Sequence, residues 1–282
     1  MLEPPSKTYD RLIHQPHETR GLSGISINFE MGVWRADQFS RFVFRYLPEF
    51  ALPYSERIKI NDQTSVEYLQ KAAELVYSTK KFENRGEFGE LILHALIREL
   101  FNSNPAISKI YYKDSHNSTV KGFDAVHIVE DGDSFELWLG EAKFHENINA
   151  AIGSVVGELK KHSEAQYLRR EFALITNKID PSWEHAEKLK LLLNPDVSLD
   201  QIFDRLCIPV LLTYESEIVQ NYNDLKKEYE AQLRTELLSH YSKFCQSDLP
   251  KTLKIHLILL PLKDKKELVQ RLQGRLVAWQ DI

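Results

Sequence analysis

The hydrophobic and polar positions change period several times along the chain, and each change marks an element. Residues 24–30 (GISINFE) have the short apolar pattern of a strand. Residues 36–48 (ADQFSRFVFRYLP) switch to helical spacing, which should stop before Pro48. Residues 62–78 predict a helix with Thr64 or Ser65 as its N-cap. Residues 80–100 predict a stronger helix, with Phe88, Leu91, Ile92, Ala95, Leu96 and Leu100 on one broad apolar face. The stretch NSNPAI should end it.

Three strands are expected next, at 107–114, 122–130 and 134–144, with DGD turning the chain at 131–133. Residues 148–171 read as a helix, in which Gly153 and Gly157 would permit close packing, and 172–178 (FALITNK) as a strand. A helical stretch to about residue 193 follows the PSW turn. Residues 208–215 and 253–262 are further strands, and 264–279 is a closing helix. Between them, 217–244 reads as one long charged helix. Its Tyr222, Leu225, Tyr229, Leu233 and Leu237 repeat at helical spacing, which suits core packing or, alternatively, a docking surface. The whole is a mixed α/β layout with a central antiparallel trio and no internal repeat. Residues 1–20 are polar and proline-bearing, so a loose or partner-docking arm is expected there. The chain divides on this basis into an arm with a small accessory segment (1–60) and a main domain with helical additions (61–282).

With 282 residues, 43% of them hydrophobic, the chain can bury a sizeable core. No apolar run reaches membrane-spanning length and MLEPPSKTYDR is no signal peptide, so a cytoplasmic protein with no membrane partner is expected. Cys207 and Cys245 suggest neither a disulfide framework nor a clustered zinc site. A net charge of -5 argues against a coat protein for DNA. It leaves room for an enzyme whose metal offsets an acidic site.

The candidate chemistry lies in GFDAVHIVEDGDSFELWLGEAKF, residues 122–144. Glu141 and Lys143 are two positions apart, so strand alternation puts them on one side, beside Leu137 and Leu139. If the turn centres near position 132, Asp124 lies across from about residue 140 and neighbours Glu141. Two carboxylates with the backbone carbonyl of Ala142 would give a partial oxygen shell for Mg²⁺, with Mn²⁺ able to substitute. Lys143 would orient the attacking water or offset developing negative charge. A solvated Glu–Lys pair is the plainer alternative. On the preceding helix Glu87, Glu90 and His94 share a face, and Gly86 and Gly89 would permit close approach. Glu90 is the preferred ligand or water-positioning residue, and Glu87 the second choice. Zinc held by His94 and His145 has no close ligand spacing behind it.

The ordered set Glu90, Asp124 and Glu141-Ala142-Lys143 resembles the PD-(D/E)xK nuclease superfamily. Phe123 stands where the motif has its proline. The resemblance implies a restriction-endonuclease-like core, a mixed central sheet flanked by helices. It also implies catalytic roles for Glu90 (or Glu87), Asp124, Glu141 and Lys143. Closer still, RGEFGELILHALI, KGFDAVHIV and LWLGEAKFHENINAAIGSVVGEL are similar to blocks of the HamA family, over about residues 30–280. That family comprises nuclease subunits of the bacterial Hachiman anti-phage defence system. The likeness implies a DNA-degrading effector restrained by HamB, an ATP-dependent superfamily 2 helicase.

Phosphate contacts could come from Lys113 and Lys121 beside the loop DSHNSTVK, from KKH at 160–162, LRR at 168–170, or Gln166. No groove-reading motif is present, so cleavage with little sequence selectivity is expected. The competing class is a catalytically weak DNA-binding or regulatory subunit of a helicase complex.

Overall fold

The computed structural model describes residues 8–16, 19–76, 86–108, 122–132, 134–251 and 253–282. The chain begins with strands β1 (Tyr9–Gln15) and β2 (Arg20–Ile27) and a small hairpin, β3 (Phe29–Glu30) with β4 (Val33–Trp34). Helices α1 (Ala36–Phe44), α2 (Leu47–Ala51), α3 (Tyr54–Arg57), α4 (Ser65–Leu75) and α5 (Gly86–Phe101) follow. Next come β5 (Asn104–Ser108), β6 (Ala125–Asp131) and β7 (Ser134–Phe144), then α6 (Ile148–His162), α7 (Ala165–Lys178), α8 (Ala186–Leu192) and α9 (Leu199–Phe203). The last third holds β8 (Leu206–Glu215), α10 (Glu217–Asn221), α11 (Lys227–Cys245), β9 (Lys254–Leu262) and α12 (Lys265–Gln280).

Seven strands form one sheet in the order β1-β2-β9-β8-β7-β6-β5. β2, β9, β8 and β7 run parallel to their neighbours, while β1 and the β7-β6-β5 meander pair antiparallel. β8 and β9 are apolar almost throughout and buried along nearly their whole length, as parallel strands covered on both faces must be. The expected mixed sheet flanked by helices, a PD-(D/E)xK-like core, is present.

β7 fixes the site. Its register on β6 runs from Asp131↔Ser134 to Ala125↔Gly140, closed by a tight turn in which Gly132 takes φ +58°. The face of β7 carrying residues 140, 142 and 144 receives α5. A Cβ on Gly140 would stand 2.9 Å from Leu93 Cδ2, and one on Gly89 would stand 2.9 Å from Phe144 Cβ. Both glycines are therefore needed for helix and strand to touch. The opposite face, with Glu141 and Lys143, receives α6.

Several elements depart from the pattern read in the sequence. Tyr9–Gln15 is no loose arm but an edge strand, with Tyr9, Leu12 and Ile13 buried. A register shift between Arg11 and Ile13 breaks its alternation and hides it from a period-two search. The first helix stops at Phe44, before Pro48 as expected, but Pro48 itself lies in the first turn of a further helix, α2, where no N–H is required. NSNPAI ends α5 at Phe101 as expected, and its Asn104-Pro105 also opens strand β5, which tolerates proline as an edge of the sheet. Of the strand expected at 107–114, residues 109–114 lie outside the described residues, as do 77–78 and 80–85 of the two early helices.

FALITNK is helical, not extended. Leu168, Phe172 and Ile175 bury at helical spacing in α7, while Thr176 returns its hydroxyl to the Phe172 carbonyl. The expected 148–171 helix is broken near Ser163, and the 217–244 helix is broken between Asn221 and Lys227. The apolar stripe of α11 is core: Tyr229, Leu233 and Leu237 are buried, and the Tyr229 hydroxyl lies 2.7 Å from Ser26 Oγ. Gly153 and Gly157 are exposed with open space where a Cβ would go, so they serve no close packing.

Candidate functional site

The antiparallel pairing of β6 and β7 extends one position beyond β6. The Asp124 N–H donates to the Gly140 carbonyl at 2.8 Å, and the Ala142 N–H donates to Asp124 Oδ2 at 2.8 Å. Asp124 is thus tied to the Gly140–Ala142 stretch of β7 by both its backbone and its side chain, and its charge reaches His162 on the α6 side. Asp124 and Glu141 are only 4% and 1% exposed. Two buried carboxylates are costly unless cations or donors compensate them. Asp124 and the strand that carries Glu141 and Lys143 are joined at the end of the hairpin.

The compensation comes from α6, whose polar residues were assigned above to solvent or to DNA. His162 Nδ1 stands 2.6 Å from Glu141 Oε1, and Lys143 Nζ donates to Glu158 Oε2. Burial holds His162 down to about 4, although the charges of Glu158 and Asp124 pull the other way. The two atoms are in contact without the geometry of a hydrogen bond. Burial would raise the Glu158 carboxyl, but the hydrogen bond and charge of Lys143 win, and it is lowered.

A signal for His162 does exist in the sequence. It continues the buried stripe Ala151, Val155 and Leu159, where a polar residue needs a partner. Glu158 has no comparable signal; it is recognised only once α6 is seated on β7.

The two α5 carboxylates arrive from the other side of the sheet. Gly89 rests against Phe144 and Ala142, so the first turn of α5 lies along the end of β7, with Glu90 buried and Glu87 half-buried. His94 is committed elsewhere. Its Nδ1 lies 3.0 Å from His127 Nε2, and its Nε2 lies 3.2 Å from Glu49 Oε1, in a buried chain that continues to Ser103. A shared zinc with His145 finds no support.

Among the described residues, no three or more His, Cys, Asp or Glu form a group that could hold a metal by themselves. The donor chemistry nonetheless fits a hard divalent cation. Such an ion is commonly held by one or two carboxylates, completing its shell with water and substrate phosphate rather than a protein cage. Asp124, Glu141 and the Ala142 carbonyl are the oxygen atoms that would be available to such an ion at the strand end.

Of the basic residues considered for phosphate contact, Lys160 pairs with Asp248 and Arg169 donates to the Val197 carbonyl, whereas Lys161 and Gln166 are exposed. Lys113 and Lys121 lie outside the described residues. A cavity of about 590 Å³ lies at the far end of the sheet, lined by His14, Phe101, Trp138 and His256. Its Lys254 and Glu136 pair with each other, and its rings pack on one another, so it carries none of this chemistry.

No curated protein matches the chain. A family model for HamA matches residues 6–276. With the sheet, the Asp124–Glu141–Lys143 cluster and this near full-length match in place, the chain belongs to the HamA family, the nuclease-subunit family of the Hachiman system.

Proposed function

We propose that the protein is a Mg²⁺-dependent deoxyribonuclease that hydrolyses phosphodiester bonds with little sequence specificity and is held in check by a HamB-like ATP-dependent helicase. The observation that carries this reading is the joining of Asp124 to the stretch of β7 that carries Glu141 and Lys143, at the end of the hairpin, in a chain of the HamA family. Phosphodiester hydrolysis needs a water aligned for attack on phosphorus and a means of offsetting charge on the phosphoryl oxygens.

Asp124 and Glu141, with the Ala142 carbonyl, would hold the cation; Glu90, or failing it Glu87, would add a carboxylate from α5. When bound, the ion supplies a water of lowered pKa and a positive charge beside the scissile phosphate. The chain itself does the rest. The Ala142 N–H fixes the Asp124 carboxylate, and the Lys143 ammonium lies beside Glu141 to meet the attacking water or the phosphoryl oxygens. Buried surroundings strengthen each of these electrostatic contacts.

The test is cleavage of supercoiled and linear DNA with Mg²⁺ or Mn²⁺, with and without the helicase. Glu141→Ala and Lys143→Ala should abolish cutting while the fold is kept, and chelation should do the same to the wild type. Undiminished cutting by either variant would sink the proposal. Glu87→Ala against Glu90→Ala decides which α5 carboxylate takes part.

A further inference from the structure

Nothing in the roles just given requires α6 to carry Glu158 and His162 one helical turn apart, facing the strand. Four residues of α-helix rise about 6 Å, and two residues of strand span about 6.6 Å. An i, i+4 pair on a helix can therefore meet an i, i+2 pair on a strand in register. That match is realised here: His162 meets Glu141, and Glu158 meets Lys143, with helix and strand running in opposite directions. We propose that Glu158 and His162 are a positioning pair, His162 fixing the Glu141 carboxylate and Glu158 fixing the Lys143 ammonium. The inference rests on the nuclease reading of this site.

Two observations separate positioning from ordinary ion pairing. His162 is a locked ring: it stacks on Tyr167 with centroids 4.3 Å apart and planes 14° apart, and Phe123 meets it edge-on at 5.0 Å. Phe123 directly precedes Asp124, so the clamp on His162 also ties down the other carboxylate. A ring held between two aromatic neighbours, with Nδ1 2.6 Å from Oε1, leaves the Glu141 carboxylate little room to move on that side. The second observation is exposure. The Glu158 side chain is 41% exposed and that of Lys143 is 13% exposed. Such a partly solvated pair adds little to stability, and its consequence is to hold one rotamer of a long, flexible side chain beside Glu141.

The decisive comparison is His162→Asn against His162→Gln in the full chain. Asparagine places its amide nitrogen near the position of Nδ1, whereas glutamine, the closer match in size, places it near Nε2. Mn²⁺ binding, followed by electron paramagnetic resonance, and DNA cleavage are both measured. The Gln variant should lose about 10- to 100-fold in Mn²⁺ affinity and in kcat, with KM for DNA unchanged, and the Asn variant should keep most of both. Glu158→Ala should lower kcat more than it lowers Mn²⁺ affinity, because Glu158 holds Lys143 and also touches Glu141.

Equal behaviour of the Asn and Gln variants, or a Glu158→Ala variant that cuts as fast as wild type or faster, overturns the proposal. Glu141→Ala serves as the reference. If it is inert while the α6 variants match wild type, the positioning pair alone is wrong. If it still binds Mn²⁺ and cuts, or if the wild type does neither, the nuclease site falls and the pair with it.

Discussion

Replacing Gly89 by alanine puts a direct load on the contact that seats α5 against the end of β7. The added Cβ would stand 2.9 Å from Phe144 Cβ and 3.7 Å from Ala142 Cβ. Ordinary carbon–carbon contact lies at about 3.5–4.0 Å, so helix and strand must part by roughly 0.6–1 Å. Phe144 Cβ is fixed to the backbone and cannot swing aside. Forcing a methyl into such a contact costs about 1–3 kcal/mol, while removing glycine from a helix returns about 0.5–1 kcal/mol. The net loss is about 0–2.5 kcal/mol. Gly157→Ala on α6 receives the same helix-forming gain with open space around it, so it should stabilise the chain. The difference between the two variants isolates the contact and should be about 1–3 kcal/mol. Urea unfolding followed by circular dichroism measures it. Because the displacement falls on residues flanking Lys143, Gly89→Ala should also slow cleavage beyond any loss of folded protein. Equal stability of the two variants would refute the close approach of α5 to β7.

Two further outcomes are expected. Burial, with the nearby charges of His14 and Arg11, holds His256 down to about 3 from its ordinary 6.5. The unfolded chain therefore takes up a proton that the folded chain refuses, and stability falls as pH drops below 6.5 by at most about 1.4 kcal/mol per unit from this group. Urea midpoints for wild type should decline more steeply between pH 6.5 and 5 than those of His256→Gln, and parallel slopes would contradict this. Cys245 is exposed, whereas Cys207 is buried with its thiol pushed far up by desolvation. A thiol reagent should therefore label one cysteine in the native protein and the second only on unfolding; two fast-reacting thiols would show that the β8 end of the sheet opens readily.

The meander was legible because its information is local. Alternation over 134–144 sets which side chains share a face, and a tight turn at Gly132 sets what lies opposite. The expected neighbour of Asp124 was about residue 140, and its N–H bonds the Gly140 carbonyl. Elements failed where tertiary context overrode local pattern. Phe172, Ile175 and Thr176 favour a strand by composition, yet their spacing with Leu168 buries one helical stripe against the core. Tyr9–Gln15 buries only part of its surface as an edge strand, so it lacks the apolar density of β8 or β9. Glu158 was illegible for a different reason: pairing an acid at 158 with a lysine at 143 depends on how a helix docks, which no short-range spacing encodes.

The same docking bears on which helix completes the site. α5 and α6 meet β7 on opposite faces. The side chains of Glu141 and Lys143 project toward α6, while Gly89 lies against Ala142 and Phe144. A carboxylate from α5 can join Asp124 and Glu141 only around the end of β7, where the glycine contact brings the helix closest. Glu90 is adjacent to that contact and buried, whereas Glu87 is half-buried nearer the start of the helix. Glu90 is thus the α5 carboxylate next to the Gly89 contact. Glu158 needs no such route, since it already lies on the face of Glu141. The two helices therefore differ by position: under the proposed function, α6 would orient the strand's own acid and base, and α5 would bring its carboxylate to the end of β7.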